Sequence, residues 1–358
     1  MKVALVPRSD SKVKFGGDVK KFQIYESILR RRGVDARLLA ANEIVRFQPD
    51  IIHVANIDAP YDSLSARNIA RTHRVPLVLS TIHHPDAGAK ILAVHDARMP
   101  SLLHFGWPAY YWIRGAGKEV LRSTANREVP SLKVLQHYRR ARRTALTDTA
   151  LVLPMTESES RSVRREVGAF DRSTIVPNGV TSPVSKTTDK TSEIAVVGRI
   201  ERRKNQLAVA RALAGTKARL VFAGAGDPSA SSYVAQFAAI VERSPNMRWL
   251  GALPEFELLR LLRSVSAYMS FSTMECVSQA DLEAASSELP IAVTKNSQIS
   301  EYFDPGSYVQ VDPSLVYDED YVRSIATILP KRTPVTFQHR PSWDDVVDRL
   351  QAAYRSVL

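Results

Sequence analysis

Short apolar runs recur along the whole chain, and a helical stretch separates nearly every pair of them. In the first half they fall at residues 2–6, 35–39, 51–55, 77–81 and 151–154, with a two-residue run at 175–176. In the second half they fall at 194–197, 219–223, 247–250, 267–271, 290–293 and 308–311. Runs of this kind lack the alternation of a strand with one wet face, so they fit strands covered on both faces. Parallel strands need long crossovers, and the helical stretches supply them. The rhythm therefore predicts an α/β fold, with a doubly wound parallel sheet in each half.

At 358 residues the chain is long enough for two domains. Residues 182–192 are rich in Ser, Thr, Pro and Lys and read as the linker between them. The apolar run 3–6 is too short for a signal peptide and is followed at once by Pro7-Arg8-Ser9-Asp10. No segment approaches the roughly 20 apolar residues that span a bilayer. The single cysteine, Cys276, excludes an internal disulfide framework and fits a reducing cytoplasm.

Charge is distributed unevenly. Residues 1–180 carry 29 Lys and Arg against 17 Asp and Glu, a net of +12, whereas residues 181–358 carry 20 of each. The first half therefore suits an anionic surface, which charge alone leaves open between lipid headgroups, a pyrophosphate carrier and nucleic acid. Trp107, Tyr110, Tyr111 and Trp112 stand among Arg114, Lys118 and Arg122 without a clear period. That segment reads equally as core and surface or as an interfacial membrane patch, and less well as a nucleic-acid platform. From residue 131 a helical stripe of Val134, Tyr138, Ala141 and Ala145 resumes, with Lys133, Arg140 and Arg143 off it.

Residues 267–294 concentrate the candidate chemistry. A buried strand leads into the loop Ser272-Thr273-Met274-Glu275, a helix follows over 278–286, and a second strand closes the unit. Glu275 falls where the first strand ends, and Glu283 lies a little over one turn into the helix. The carboxyl edge of a parallel sheet is where open α/β folds bind ligands. Two surface carboxylates are the plain alternative. Upstream, Gly198-Arg199-Ile200 and Lys204 follow the first strand of the second half, and Gly16-Gly17 open a helix after the first strand of all. Glycines at a helix start let backbone N–H groups approach an anion, although such a pair is also an ordinary turn.

The Glu275-to-Glu283 stretch resembles the Glu-x7-Glu segment of the retaining, two-domain GT-B glycosyltransferases of the family four group. Phe15-Gly16-Gly17, His83, Pro177-Asn178-Gly179-Val180, Gly198-Arg199-Ile200 with Lys204, and Ser342-Trp343 follow the family's order along nearly the whole chain. Where the family places Gly-Phe-Gly after the first glutamate, this chain has Cys276-Val277-Ser278, which bears on donor choice.

The resemblance implies two Rossmann-like domains facing across a cleft. Residues 1–181 would bind the acceptor and 182–341 the nucleotide sugar, with a helix over 342–358 packing back on the first domain. It implies that Arg199 and Lys204 stabilise the leaving diphosphate in place of a metal, with the Gly16 and Gly17 amides assisting. Glu283 would hold the ribose hydroxyls, and Glu275 the donor sugar, with backbone N–H groups near Val277 and Ser278. His83 would approach the reacting centre, Ser272 would add a polar contact, and Leu253 would meet the base. Cys276 reads as packing rather than as a nucleophile. No cofactor and no metal are expected: Asp318-Glu319-Asp320 and Asp344-Asp345 read as helix starts.

The expected activity is retaining transfer of a hexose from a nucleoside-diphosphate sugar to a glycan or lipid-linked acceptor. The expected setting is cell-surface polysaccharide or glycolipid synthesis, in the cytoplasm or on the inner membrane face. A DNA-base glycosyltransferase and a degenerate sugar-nucleotide-binding protein are the rivals.

Overall fold

The structure is a computed structural model and describes residues 1–8, 16–95, 117, 138–181 and 190–358. Phe15, the aromatic segment around Trp107 to Trp112, Val134 and linker residues 182–189 lie outside the described residues. The chain divides into two compact units. One comprises Met1–Asp86, Asp96–Gly179 and Trp343–Leu358, and the other Ala87–His95 and Val180–Ser342.

In the first unit five parallel strands form one sheet: β1 (Lys2–Val6), β2 (Asp35–Leu38), β3 (Ile51–Ala55), β4 (Leu77–Ser80) and β5 (Leu151–Leu153). Their order is β2-β1-β3-β4-β5. Every residue of β3, β4 and β5 is buried, which is why these strands read as unbroken apolar runs. The expected strand at 175–176 is corrected. Ser173 makes only an isolated bridge to Val152, and the Val176 N–H donates to the Pro154 carbonyl at 2.8 Å. Pro177 follows and offers no N–H to extend a ladder.

The helix Gly17–Arg31 buries Val19, Phe22, Tyr25, Ile28 and Leu29 along one face. The terminal helix Trp343–Arg355 sends Val346, Val347, Leu350, Ala353 and Tyr354 into the same core, so the chain's end returns to its first unit. Arg32 ties the two helices by pairing with Asp344 and Asp348. Gly179 is required where it stands, because a Cβ there would lie 2.4 Å from the Trp343 ring.

Among the described residues the second unit has six parallel strands: β6 (Glu193–Val197), β7 (Arg219–Ala223), β8 (Met247–Trp249), β9 (Ala267–Ser270), β10 (Ile291–Thr294) and β11 (Val309–Val311). The order is β11-β10-β9-β6-β7-β8. The chain thus begins in the middle, winds outward through β7 and β8, and restarts beside β6 with β9. The loops leaving β6 and β9 turn to opposite sides, and the crevice between them is where such sheets take ligands.

Residues 87–95, expected within the first domain, group instead with the second unit. Gly88 shows how tightly: a Cβ there would lie 2.0 Å from the Thr273 carbonyl oxygen. The acidic residues near 318 work within their own helix, whereas Asp344 pairs with Arg32. Asp318 caps the helix Glu319–Ile328 through the Tyr321 N–H, and Glu319 and Asp320 pair with Arg323. Among the described residues no helix is long and apolar enough to cross a membrane.

Candidate functional site

The loop after β6 is shaped by close backbone packing. Gly198 (φ +142°) and Gly224 (φ +146°) lie so close that a Cβ on Gly224 would come within 2.1 Å of the Gly198 carbonyl oxygen. Only glycine fits both the conformation and the gap. The loop then makes a short 3-10 turn over Arg202–Lys204, closed by Asn205 in the left-handed region (φ 56°). Asn tolerates that conformation better than most residues. Its Nδ2 donates to the Phe271 carbonyl at 2.7 Å, and Gln206 Nε2 donates to the Arg199 carbonyl at 2.8 Å.

The loop after β9 is fixed just as firmly. The Thr294 hydroxyl donates to the Ser272 carbonyl, Asn296 Nδ2 to that of Thr273 at 2.8 Å, and the Gln298 N–H to that of Cys276 at 2.9 Å. Ser278 ends the loop and caps the helix Gln279–Ser286, its Oγ accepting the Asp281 N–H at 3.4 Å. A helix start here points N–H groups and partial positive charge out of the sheet's carboxyl edge.

These two loops bring their charges together at the switch point. The Lys204 ammonium sits directly on Glu275 Oε2, and Ser272 Oγ donates to the same oxygen at 3.3 Å. Glu283 follows in the second turn of the helix and is only 2 % exposed. Asp281, fully buried, accepts from the Tyr268 hydroxyl at 2.7 Å and the Ser297 hydroxyl at 3.0 Å. Burial raises its carboxyl pKa, while Lys204 opposes the rise. Cys276 and Val277 are buried in the loop beside Glu275. Arg199, half-buried, occupies the β6 loop with Lys204.

Two residues at this edge escaped the sequence reading. Asp281 is one. The other is Arg203. Arg202 is half-buried, its guanidinium 5.7 Å from the Tyr233 ring centroid. Arg203 instead turns toward Glu275, with Nη1 3.4 Å from Oε2, and donates to the Met274 carbonyl at 2.9 Å. Leu253 is half-buried and follows β8, the edge strand of the sheet.

The remaining candidates lie in the first unit. Gly16 is the N-cap of the helix Gly17–Arg31 in an extended conformation, with its carbonyl accepting the Val19 and Lys20 N–H groups. A Cβ on Gly17 would meet nothing within 4 Å. His83 follows β4 with its ring fully enclosed. Nδ1 lies 2.9 Å from Asp58 Oδ1 and Nε2 lies 3.0 Å from Glu166 Oε2. Burial alone would discharge it, but the two carboxylates prevail and hold its pKa at about 9.

Arg142 joins the cluster 3.3 Å from Asp58, on the buried face of its helix with Tyr138, Ala141 and Ala145. Glu159 fixes the loop beneath, accepting the His83 N–H at 2.7 Å and the Met155 N–H at 2.6 Å. The opposite case is His53. It is enclosed between the Tyr354 hydroxyl (2.7 Å) and Ser80 Oγ (2.9 Å), and burial pushes its pKa down to about 3.

Residues 181–341 match the sequence model of the glycosyl transferases group 1 family. No curated protein sequence matches the chain. Solved structures match over its full length. Sucrose-phosphate synthase from Thermosynechococcus elongatus aligns with a TM-score of 0.64 at 12% identity, covering 100% of this chain and 99% of that one. HepE of Anabaena, in complex with UDP and glucose, gives 0.62 at 13% identity, covering 99% and 100%. The lipopolysaccharide outer core galactosyltransferase WaaB, in its apo form, gives 0.54 at 12% identity, covering 100% of both chains. The chain therefore shares the two-domain GT-B fold of these structures, and its second unit is similar to the glycosyl transferases group 1 family over residues 181–341.

Proposed function

We propose that the protein is a glycosyltransferase that moves a sugar from a nucleoside-diphosphate sugar to a hydroxyl of a glycan or lipid-linked acceptor. One observation carries this reading. The order β11-β10-β9-β6-β7-β8 sets the loops after β6 and β9 at the switch point, and those loops hold Lys204 against Glu275. In such a sheet the crevice accepts a nucleotide. Arg199 and Lys204 supply cationic charge for a diphosphate, and the start of the helix Gln279–Ser286 supplies N–H groups.

In this reading Arg199 and Lys204 neutralise the charge that grows on the leaving diphosphate. Glu275 accepts hydrogen bonds from the donor sugar, with Ser272 and the backbone at Cys276, Val277 and Ser278 beside it. Glu283 receives the ribose hydroxyls, and Leu253 lies toward the base. The acceptor oxygen attacks the anomeric carbon as the carbon–phosphate oxygen bond breaks. The departing phosphate takes the acceptor's proton on the same face, so configuration is retained without a metal. The first unit takes the acceptor, and its excess of basic residues suits one at an anionic membrane surface in cell-surface glycan synthesis.

The test begins with a thermal-shift panel of UDP-, GDP- and ADP-sugars, since a ligand of the native state alone raises the melting temperature. The sugar that binds is then followed for hydrolysis and transfer with and without a chelator, and the product's anomer is read by NMR. A donor that shifts the melting temperature but is never turned over would leave only a binding protein. Inverted product would remove the retaining mechanism, and loss of turnover on chelation would remove the metal-free one.

A further inference from the structure

Arg203 carries more of the junction between the two loops than any neighbour. Its carbonyl accepts the Thr273 N–H at 2.8 Å and the Thr273 hydroxyl at 3.3 Å. Its guanidinium donates to the Met274 carbonyl through Nη1 and lies 2.8 Å from Glu201 Oε1 through Nε. The same Nη1 is 3.4 Å from Glu275 Oε2, the oxygen on which the Lys204 ammonium sits. One carboxylate oxygen therefore faces two cations from consecutive residues.

The two cations have different freedom. Lys204 ends in a single ammonium on a flexible stem, which a phosphate can draw away. Arg203 is planar and pinned on both sides, by Glu201 and by Met274. The Glu275 side chain is only about 10% exposed, and a carboxylate so enclosed is costly to leave without a counter-charge.

Building on the donor reading above, we infer that Arg203 is a positioning residue for the sugar half of the donor. It keeps Glu275 ionised and aimed when Lys204 turns to the diphosphate. Arg203 itself touches neither phosphate nor sugar. The affinity gained from the sugar then depends on Arg203, while the affinity of the bare nucleoside diphosphate does not.

Calorimetric titration of the full chain tests this with UDP-glucose, GDP-mannose and ADP-glucose, each beside its bare diphosphate. The variants are Arg203→Ala and Arg203→Lys. Both leave the main-chain carbonyl and its hydrogen bonds to Thr273 in place. Arg203→Ala is expected to weaken the nucleotide sugar about tenfold and the bare diphosphate hardly at all. Arg203→Lys is expected to recover part of the loss, because an ammonium can face Glu275 without also holding Met274. Equal weakening of both ligands, or of neither, would overturn the inference.

A cycle of Lys204→Ala, Arg203→Ala and the double variant, read as melting temperature without ligand, tests the shared carboxylate directly. Each single variant leaves Glu275 one cation, and the double variant leaves none of the two. The double loss should therefore exceed the sum of the singles. An additive cycle would sink the shared role whether or not any sugar nucleotide binds. Wild-type protein that binds none of the three donors would instead remove the donor reading.

Discussion

Lys204 and Glu275 meet across the switch point of the second sheet, each contributed by the loop of a strand that neighbours the other but continues to the opposite side. Such a pair is set before any ligand arrives. On the proposed reading, a diphosphate entering the crevice would compete with Glu275 for the ammonium, so binding would redistribute charge already in place. That matters at a carboxylate as enclosed as Glu275, where an unpaired charge is costly.

Removing the ammonium should therefore do double damage. Lys204→Ala is expected to lower kcat/KM for the donor by about 10²–10³, the usual range for losing a preorganised electrostatic group. Arg199→Ala should do the same. Donor hydrolysis without acceptor is the measurement. Turnover unchanged in both variants would remove the cations from the chemistry.

Glu275 and Glu283 should separate by ligand. Glu283→Ala is expected to weaken a nucleotide sugar and its bare nucleoside diphosphate alike, by about tenfold or more, since both carry the ribose. Glu275→Ala should weaken only the sugar nucleotide. The reverse pattern in a titration would exchange the two assignments.

Two glycines on helices should behave in opposite ways. Gly88→Ala would place its methyl 2.0 Å from the Thr273 carbonyl oxygen, so the helix or the Glu275 loop must shift. We expect a drop of several degrees in melting temperature and weaker nucleotide-sugar binding. Gly17→Ala has open space and a helical backbone, and is expected to hold or gain about 0.5–1 kcal/mol. Equal melting temperatures for the two would contradict the packing.

The strands were legible because burial on both faces leaves an unbroken apolar run, and so were the glutamates, because a loop and a helix start flank them. Arg203 was not. Arg202, Arg203 and Lys204 carry like charges in a row, and only the 3-10 turn decides that one lies over Tyr233 while the other two face Glu275. Arg142 was hidden for a related reason. Its partners Asp58 and His83 come from the ends of β3 and β4, and no spacing within its own helix announces them. The grouping of 87–95 with the second unit has the same origin, since its signal is a contact with Thr273 far along the chain.

The first unit encloses two histidines in opposite charge states, and they should set opposite limbs of its stability against pH. His53 is held neutral, with its pKa pushed down to about 3 from 6.5, so the unfolded chain takes up the proton first. Its contribution is whole above about 6.5 and is lost as pH falls, by about 2 kcal/mol at pH 5. His83 is held charged, near 9, by Asp58 and Glu166, against burial and the nearby Arg142. Its contribution is whole below about 6.5 and fades as pH rises through about 9, by about 2 kcal/mol at pH 8.5. Glu166, lowered to about 2, adds a loss only in stronger acid. Urea midpoints at pH 5, 6.5 and 8.5 separate the two. His53→Gln should flatten the acid limb and spare the alkaline one, and His83→Gln should do the reverse. Since the two rings share no partner, the double variant should lose both slopes additively, and an acid limb that survives His53→Gln intact would return that limb to the carboxylates.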